Sequence, residues 1–598
     1  MTARTKSPTR KAPEPEYSYQ PGTSAEMDAW FTSFIIENHL DYFTNPQHAA
    51  SDEQVRFMVY TADSERYYPC SDKMFTAIMS RKQSAFMQKH YNQVLHRLLA
   101  LVDRQIEDPY ERAYLESLLF NKFKHESRDE IMIPSRLEKR LMQIYVRRTH
   151  IEDPYLEEKT KRNFNALQVL DRPEFQEALN YVDSSALEKP PLTLSEIKSK
   201  VAAVEFQRLL LAANTPLLWE KDKGLQYSRQ DFLGLFAQPI KGSGKKSLFD
   251  FIGFGRKGFI PKSILWLADE SGQVIMDIAL IRFLIGLGHK VVIAFKEGPL
   301  YTKIDIVDLH DDVSLKSAMG KSIIIQNPKM SKNELVKTMR GDVPLLAMSD
   351  GTSENVNLQL ASTTFARVFK EVDCVISRGA DQRRRFFDTH FQFTQDIYSI
   401  VDEKDGGLSI LFKPRHPDVI KFSHHDLETK AQSIIGRMRE AKDKGMTVIF
   451  YSGIIGSIPG KIKIAKQVMS VFVDYLKKQS ALTFIINPSE YFEPGMDADD
   501  LMYMWEIVQR SGMIDIWRFQ SYEDIVKAFE LTQKRVPPEW VDKDATYSTG
   551  CTKEMAIAMD VQANHPEMQI IGPAKERFMR RKEYGVGKMY DQRLGLVC

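Results

Sequence analysis

A short apolar run broken by carboxylates and glycine, then a long apolar helix and a second apolar run, constrains this chain more than any other segment. Residues 264–308 read ILWLADESGQVIMDIALIRFLIGLGHKVVIAFKEGPLYTKIDIVD. Ile264 to Ala268 suits a buried parallel strand, and Asp269-Glu270-Ser271-Gly272 breaks it where the chain must turn. Val274 to Leu287 carries apolar residues all round, as a helix packed on a sheet does, and Lys290 to Phe295 is the next strand. The unit is therefore βαβ. Ligands of such sheets gather at the carboxyl ends of strands, which places Asp269, Glu270 and the loop after Glu297 in one crevice.

Composition narrows the surroundings of that crevice. A chain of 598 residues with 43% hydrophobic residues has room for more than one globular domain. Its 82 basic and 80 acidic residues leave a formal charge of +2, so no global field recruits nucleic acid or an anionic membrane, and neither is expected as a partner. Cys70, Cys374, Cys551 and Cys598 lie far apart without metal-ligand spacing, which points to a reducing compartment and a cytoplasmic location and argues against structural zinc. The most apolar window, Val274 to Phe295, contains Asp277, Arg282, His289 and Lys290 and does not read as a membrane span.

Along the chain, residues 1–24 are basic and Pro-rich without an apolar core, and are expected to be a disordered tail. Residues 25–220 have helical patterning and contain a near-repeat, IEDPYERAY at Ile106 and IEDPYLEEK at Ile151, in which Asp-Pro is a good helix opener. Residues 221–262 are expected to be a Gly- and Lys-rich linker. Residues 263–425 continue the α/β alternation with strands at Ser322–Gln326, Pro344–Met348, Cys374–Ser377 and Ser409–Phe412, and a helix at Leu358–Val372. A second α/β series occupies 426–545, with strands near Thr447–Tyr451, Leu482–Ile486 and Met513–Phe519, and 546–598 form an extension ending in a basic stretch with Phe578, Tyr584 and Tyr590.

Three glycine-rich segments fail as nucleotide loops. Gly253 to Gly258 matches GxGxxG but precedes its strand, Lys241 to Ser247 lacks the leading glycine, and Gly453 to Lys461 lacks a Ser or Thr after the lysine. The last does follow a strand and open a helix, so its amides could hold an anion. Cys551 reads as an ordinary buried or capping-region thiol. Asp269 carries more information: a carboxylate at the edge of a buried strand must cap, pair or bind a metal. N-capping of the next helix, which Ser271 could also supply, stands level with the metal reading on residue chemistry alone.

The stretch DESGQVIMDIALIRFLIGLGHKVVIAFKEGP resembles the damage-control phosphatase family, whose signature is an Asp-Asn-x-Gly-Glu turn, a helix bearing Asp, and a strand ending before Gly-Pro. Further similarities follow in order: Asp153-Pro-Tyr-Leu-Glu-Glu-Lys159 with Asn163, then VDCVISRGADQ from Val372, then LFKPRHP from Leu411. The resemblance implies a Rossmann-like three-layer α/β/α core with a helical N-terminal domain, here followed by an additional C-terminal α/β region. It also implies a divalent metal such as Mg²⁺ or Mn²⁺ and hydrolysis of a small phosphorylated metabolite such as a sugar phosphate.

Carried onto this chain, Asp269, Glu270 and Asp305 would hold the metal. Arg378, Lys413 and Arg415 at strand ends would neutralise the phosphoryl oxygens, with Gly272 and Gly379 lining the ligand and Asp308 as a base. Asp269, Arg378 and Lys413 complete the expected catalytic set with Asp308. This chain departs from the pattern at Glu270 (family Asn), Gln273 (family Glu) and Lys303, which stands at the ungapped position of the third ligand. A protonated Lys303 would repel a metal, or its ammonium would stand in for one, while Asp305 two residues on could restore the carboxylate. These departures motivate a second reading, a catalytically degenerate member that binds a phosphorylated ligand or a protein partner. A third, a group transferase, lacks a Gly-rich cofactor loop after a core strand.

Overall fold

The computed structural model describes residues 19–41, 49–62, 65–182, 193–255, 258–402, 407–458 and 460–580. Most of the expected N-terminal tail and the basic C-terminal stretch beyond Arg580, with Tyr584, Tyr590 and Cys598, lie outside the described residues. The chain divides into two compact units, Met1–Pro417 and Asp418–Cys598. Among the described residues no helix is long and apolar enough to cross a membrane.

The first unit is mixed α/β around an eight-stranded sheet. From edge to edge its strands are Ile240–Lys241, Leu408–Lys413, Asp396–Asp402, Cys374–Arg378, Ser263–Leu267, Lys290–Phe295, Leu345–Ser349 and Ile323–Ile325. All neighbours are parallel except Leu408–Lys413 against Asp396–Asp402. Successive side chains of a strand point to opposite faces, and the two faces feed separate cores. Leu265, Leu267, Val292 and Ala294 pack with Tyr91, Leu98 and Leu137 of the N-terminal helices. Ile264, Trp266, Val291 and Ile293 pack with Phe206, Leu210, Ile275 and Ile281. Burial on both sides explains why the central strands read as continuous apolar runs rather than alternating ones.

The helix after the first central strand, Gln273–Gly286, is preceded by Gly272 at φ 76°, where a Cβ would overlap the Trp219 ring. Ser271 does not cap this helix; its hydroxyl is buried without a partner. The segment expected to be a linker carries helices at Arg229–Phe236 and Lys245–Ile252 and contributes Ile240–Lys241 to the sheet edge. Phe232, Leu235, Phe236, Leu248 and Ile252 are apolar anchors in the second core, a signal masked by the surrounding glycine and lysine. Patterning does not predict the strand Asp396–Asp402, because its polar residues Asp396, Ser399 and Asp402 interrupt the apolar run. The helix expected from Leu358 begins only at Thr363, capped by the Ser362 hydroxyl.

The second unit has a four-stranded parallel sheet in the order Thr483–Ile486, Thr447–Ser452, Ile516–Phe519, Gln569–Ile571. Helices His424–Asp443, Ile462–Gln479, Ala498–Gln509, Tyr522–Leu531 and Thr549–Asn564 alternate with these strands.

Candidate functional site

Strand order in the large sheet reverses at Ser263–Leu267, whose successor in sequence, Lys290–Phe295, lies on one side and Cys374–Arg378 on the other. Such a switch point opens a crevice beyond the carboxyl ends of the strands. Into it come the turn after Leu267, the helix opening at Gly379, and an extended segment around Lys303 held by Ile304 N donating to Asp269 O at 2.9 Å and Ser271 N donating to Thr302 O at 2.9 Å.

Asp269 is buried, and its Oδ1 accepts from the ammonium of Lys303. The same ammonium lies 3.4 Å from Glu270 Oε1 and 3.7 Å from Asp381 Oδ2. Burial pushes the Asp269 carboxyl up to about 6, with Lys303 pulling the other way and Glu270 adding to the rise. For Lys303 burial opposes the charge, but Asp269, Glu270 and Asp381 outweigh it and hold the amine protonated. The helix Gly379–Phe387 starts against this carboxylate, since Gly379 sits at φ 79° with its Cα facing Asp269 Oδ2. Gln382 ties the two strand ends together, accepting from Arg378 N at 3.1 Å and donating to Ala268 O at 3.1 Å.

Asp305 belongs to a different cluster. Its Oδ2 accepts from Lys159 Nζ at 2.9 Å, and the same ammonium donates to Asp308 Oδ2 at 2.6 Å and pairs with Asp153 Oδ2 at 2.6 Å. Oxygens of Asp153, Asp305 and Asp308 lie within 4.8 Å of one another, a set that could hold a metal ion. Lys159 is the fully buried cation at their centre; burial opposes its charge and the three aspartates more than compensate. Burial raises the Asp308 carboxyl to about 7, against the pull of Lys159. A third pair lies beyond the next strands, Lys296 Nζ donating to Asp350 Oδ2 at 2.6 Å, with both residues buried. Every buried aspartate group at these strand ends thus has a lysine in its midst.

The other expected site residues divide as follows. Arg378 is fully buried but points into the second core, where it donates to Asp277 Oδ2 at 3.1 Å, Asn214 Oδ1 at 3.1 Å and Ala213 O at 2.7 Å. Its strand parity with Cys374 and Ile376 sends it beneath the helix Gln273–Gly286, so it buttresses the fold and does not face the crevice. Lys413 is also a correction. Its strand runs antiparallel to Asp396–Asp402, pairing Lys413 with Ile397 and putting it at the opposite end of the sheet from Asp269. There it donates to Phe386 O and Thr389 O, both at 2.9 Å, and burial lowers its amine to about 8. Arg415, just beyond, is exposed. Gly272 donates its N–H to Asn163 Oδ1 at 2.6 Å and so tethers the helix Leu156–Asp171 to the turn. Asp153, Lys159 and Asp381, which complete the two clusters, were not among the expected ligands. The first two lay within the Asp-Pro-Tyr segment whose similarity to the family was the available signal.

Fold and site together define an α/β protein whose crevice, at the carboxyl ends of a mostly parallel sheet, is built from buried aspartate–lysine clusters. The model of the damage-control phosphatase ARMT1-like domain matches residues 70–411, and the chain belongs to that family. Its members are metal-dependent phosphatases. A crystal structure of a DUF89 family protein from Pyrococcus horikoshii is similar at 18% identity and a TM-score of 0.36, over 54% of this chain and 96% of that one. No match was found among curated proteins.

At the switch point Asp269 and Glu270 do not fit a divalent ion as they stand, and the Asp153, Asp305 and Asp308 set would take one only in place of the Lys159 ammonium. A hard cation needs converging oxygens whose charge is not already neutralised. Here the oxygens of Asp269 and Glu270 converge on the ammonium of Lys303, and those of Asp153, Asp305 and Asp308 on that of Lys159. Asp305, moreover, is bonded into the second cluster and not to the partners of Asp269.

Proposed function

We propose that this chain is a degenerate member of the damage-control phosphatase family that binds a small phosphorylated metabolite, such as a sugar phosphate, without metal-assisted hydrolysis. The observation that carries this reading is Lys303, whose ammonium is bonded to Asp269 at the switch point. A lysine there supplies a fixed positive charge but has no open coordination position to activate water, as a catalytic metal must. Asp308, the expected base, accepts from Lys159 Nζ at 2.6 Å and from Asp305 N at 2.9 Å, both at Oδ2, which commits that oxygen to the Lys159 cluster.

A second reading, a metal-dependent phosphomonoesterase, is favoured by the family match and by the convergence of Asp153, Asp305 and Asp308. It requires Lys159 or Lys303 to leave its carboxylates before an ion can enter. Metal content after dialysis against Mn²⁺, together with phosphate release from a panel of phosphomonoesters, separates the two. We expect no stoichiometric metal and no metal-stimulated release, with melting raised by one or more of the esters. One equivalent of bound Mn²⁺ accompanied by Mn²⁺-dependent turnover would establish the hydrolase instead.

A further inference from the structure

The expected phosphate-binding residues Arg378 and Lys413 do not face the crevice, which leaves open where an anion would be neutralised. The run Arg383-Arg384-Arg385 stands on the helix that begins at Gly379, directly after the switch-point strand. Arg385 is only 8% exposed. Its Nη2 donates to Ser135 Oγ at 2.8 Å, while Nη1 is buried and has no partner. Among the described residues no carboxylate comes within ion-pair reach of this guanidinium, whereas Lys159, Lys296 and Lys303 each have one or more. A buried guanidinium without a direct ion pair and with an unsatisfied N–H is costly, and an anion that reached it would recover that cost.

Arg385 lines a cavity of about 90 Å³ whose wall also holds Arg384, Ser71, Ser135, Asn355 and Asp381. A void of this size takes several waters or one tetrahedral oxyanion, and is far smaller than the pockets of whole drug-sized ligands. Asp381 forms no direct ion pair with Arg385, although Arg385, after Lys303 and Arg384, is one of the nearby cations that hold its carboxyl down against burial. It pairs with Arg384 and lies 3.7 Å from Lys303 at 25% side-chain exposure, so its charge is already answered. Through Asp381 the cavity adjoins the Asp269–Lys303 cluster.

We propose that this cavity is an oxyanion seat in which Arg385, assisted by Arg384, Ser71, Ser135 and Asn355, takes the phosphate of the ligand. The planar guanidinium suits bidentate recognition of phosphate, and serine hydroxyls and the asparagine amide supply neutral donors around it. The proposal rests on the reading that the crevice takes a phosphorylated metabolite, and names the residues that would hold its anionic end.

Calorimetric titration of the full chain with inorganic phosphate and, separately, with a hexose 6-phosphate tests it, using Arg385→Gln and Asn355→Asp. Arg385→Gln removes the cation. Asn355→Asp leaves Arg385 in place and fills its need for a counterion from a half-buried position, so it remains informative if the first variant fails to fold. Wild-type protein should bind both compounds, and each variant should weaken both at least tenfold. Binding of inorganic phosphate alone, lost in the variants, keeps the seat and discards the sugar-phosphate reading. Hexose phosphate binding that both variants leave unchanged discards the seat and keeps the metabolite reading. Binding of neither compound by the wild-type chain overturns the proposal.

Discussion

The backbone of Gly379 lies against the carboxylate of Asp269, so closely that a Cβ at position 379 would overlap Oδ2. The contact joins the first residue of one helix to the turn after the neighbouring strand, and a positive φ of 79° makes it possible. Gly379→Ala would bring both backbone strain and overpacking, each worth about 1–3 kcal/mol. Urea denaturation should show a lowered midpoint with an unchanged slope. A midpoint equal to wild type would mean that Asp269 can move aside freely.

Lys159 is the cation on which three aspartates depend. Lys159→Met should destabilise the chain by about 3–5 kcal/mol at neutral pH, the usual cost of leaving buried charge unpaired. Without the ammonium, the clustered carboxylates repel one another, and Asp308, already raised by burial, is pushed further toward its protonated form. Stability conferred by a raised carboxyl is present below its unfolded value and is lost as pH rises, so the variant should approach wild type near pH 4 and fall behind above it. Added Ca²⁺ should restore part of the loss at neutral pH, because the substitution exposes an oxygen set suited to a hard cation. Urea titrations at two pH values, with and without Ca²⁺, check both parts. A Ca²⁺-insensitive variant would show that the three carboxylates disperse once Lys159 is gone.

Arg378 is predicted to act on stability and not on ligand affinity. Its guanidinium and the carboxyl of Asp277 are both fully buried, and Asp277 Oδ2 also accepts from Trp266 Nε1 at 3.0 Å. Arg378→Met should cost about 3–5 kcal/mol by stranding Asp277. The double variant Arg378→Met, Asp277→Leu should recover much of this, since both charges go together. Phosphate binding by whatever fraction stays folded should match wild type. A selective loss of phosphate affinity without destabilisation would return Arg378 to the ligand site.

In the second unit, burial raises the Glu554 carboxyl to about 7, against hydrogen bonds that include Gln509 Nε2 at 3.1 Å. A folded value above the unfolded one, about 4.3, means that native protein holds the extra proton between the two, so stability falls as pH climbs through that window. Glu554→Gln keeps a neutral hydrogen-bonding group of the same shape. It should flatten the pH dependence between pH 5 and 8 and leave the variant more stable than wild type at pH 8. Thermal unfolding followed by tryptophan fluorescence measures this, and parallel pH profiles for the two proteins would refute it.

Much of the central architecture was readable residue by residue. The strand Lys290–Phe295 coincides with the segment expected from patterning, and the helix Tyr522–Leu531 carries an equally local mark, because a buried apolar run and a capped amphipathic turn are written in neighbouring residues. Ser521, for example, caps its helix with Asp524 answering from the first turn. Other features had no such signal. Apolar content predicts a strand at Ser409–Phe412, and the structure has one at Leu408–Lys413, but composition says nothing of direction. The strand before it, Asp396–Asp402, is too close in sequence for a parallel crossover, so the pair is antiparallel and Lys413 is carried away from the crevice.

The sequence by itself determined where carboxylates could meet the crevice, since Asp269 and Glu270 follow a buried strand and must lie where it ends. Which cation answers each carboxylate was decided only by tertiary structure. Lys159 comes from a helix far upstream, and Lys303 reaches Asp269 because residues 302–304 run extended beside the turn. Strand position is set by local hydrophobicity, whereas charge pairing depends on distances of a few ångströms between segments remote in sequence. Only the folded chain specifies those distances, and here they join each buried aspartate cluster to a lysine.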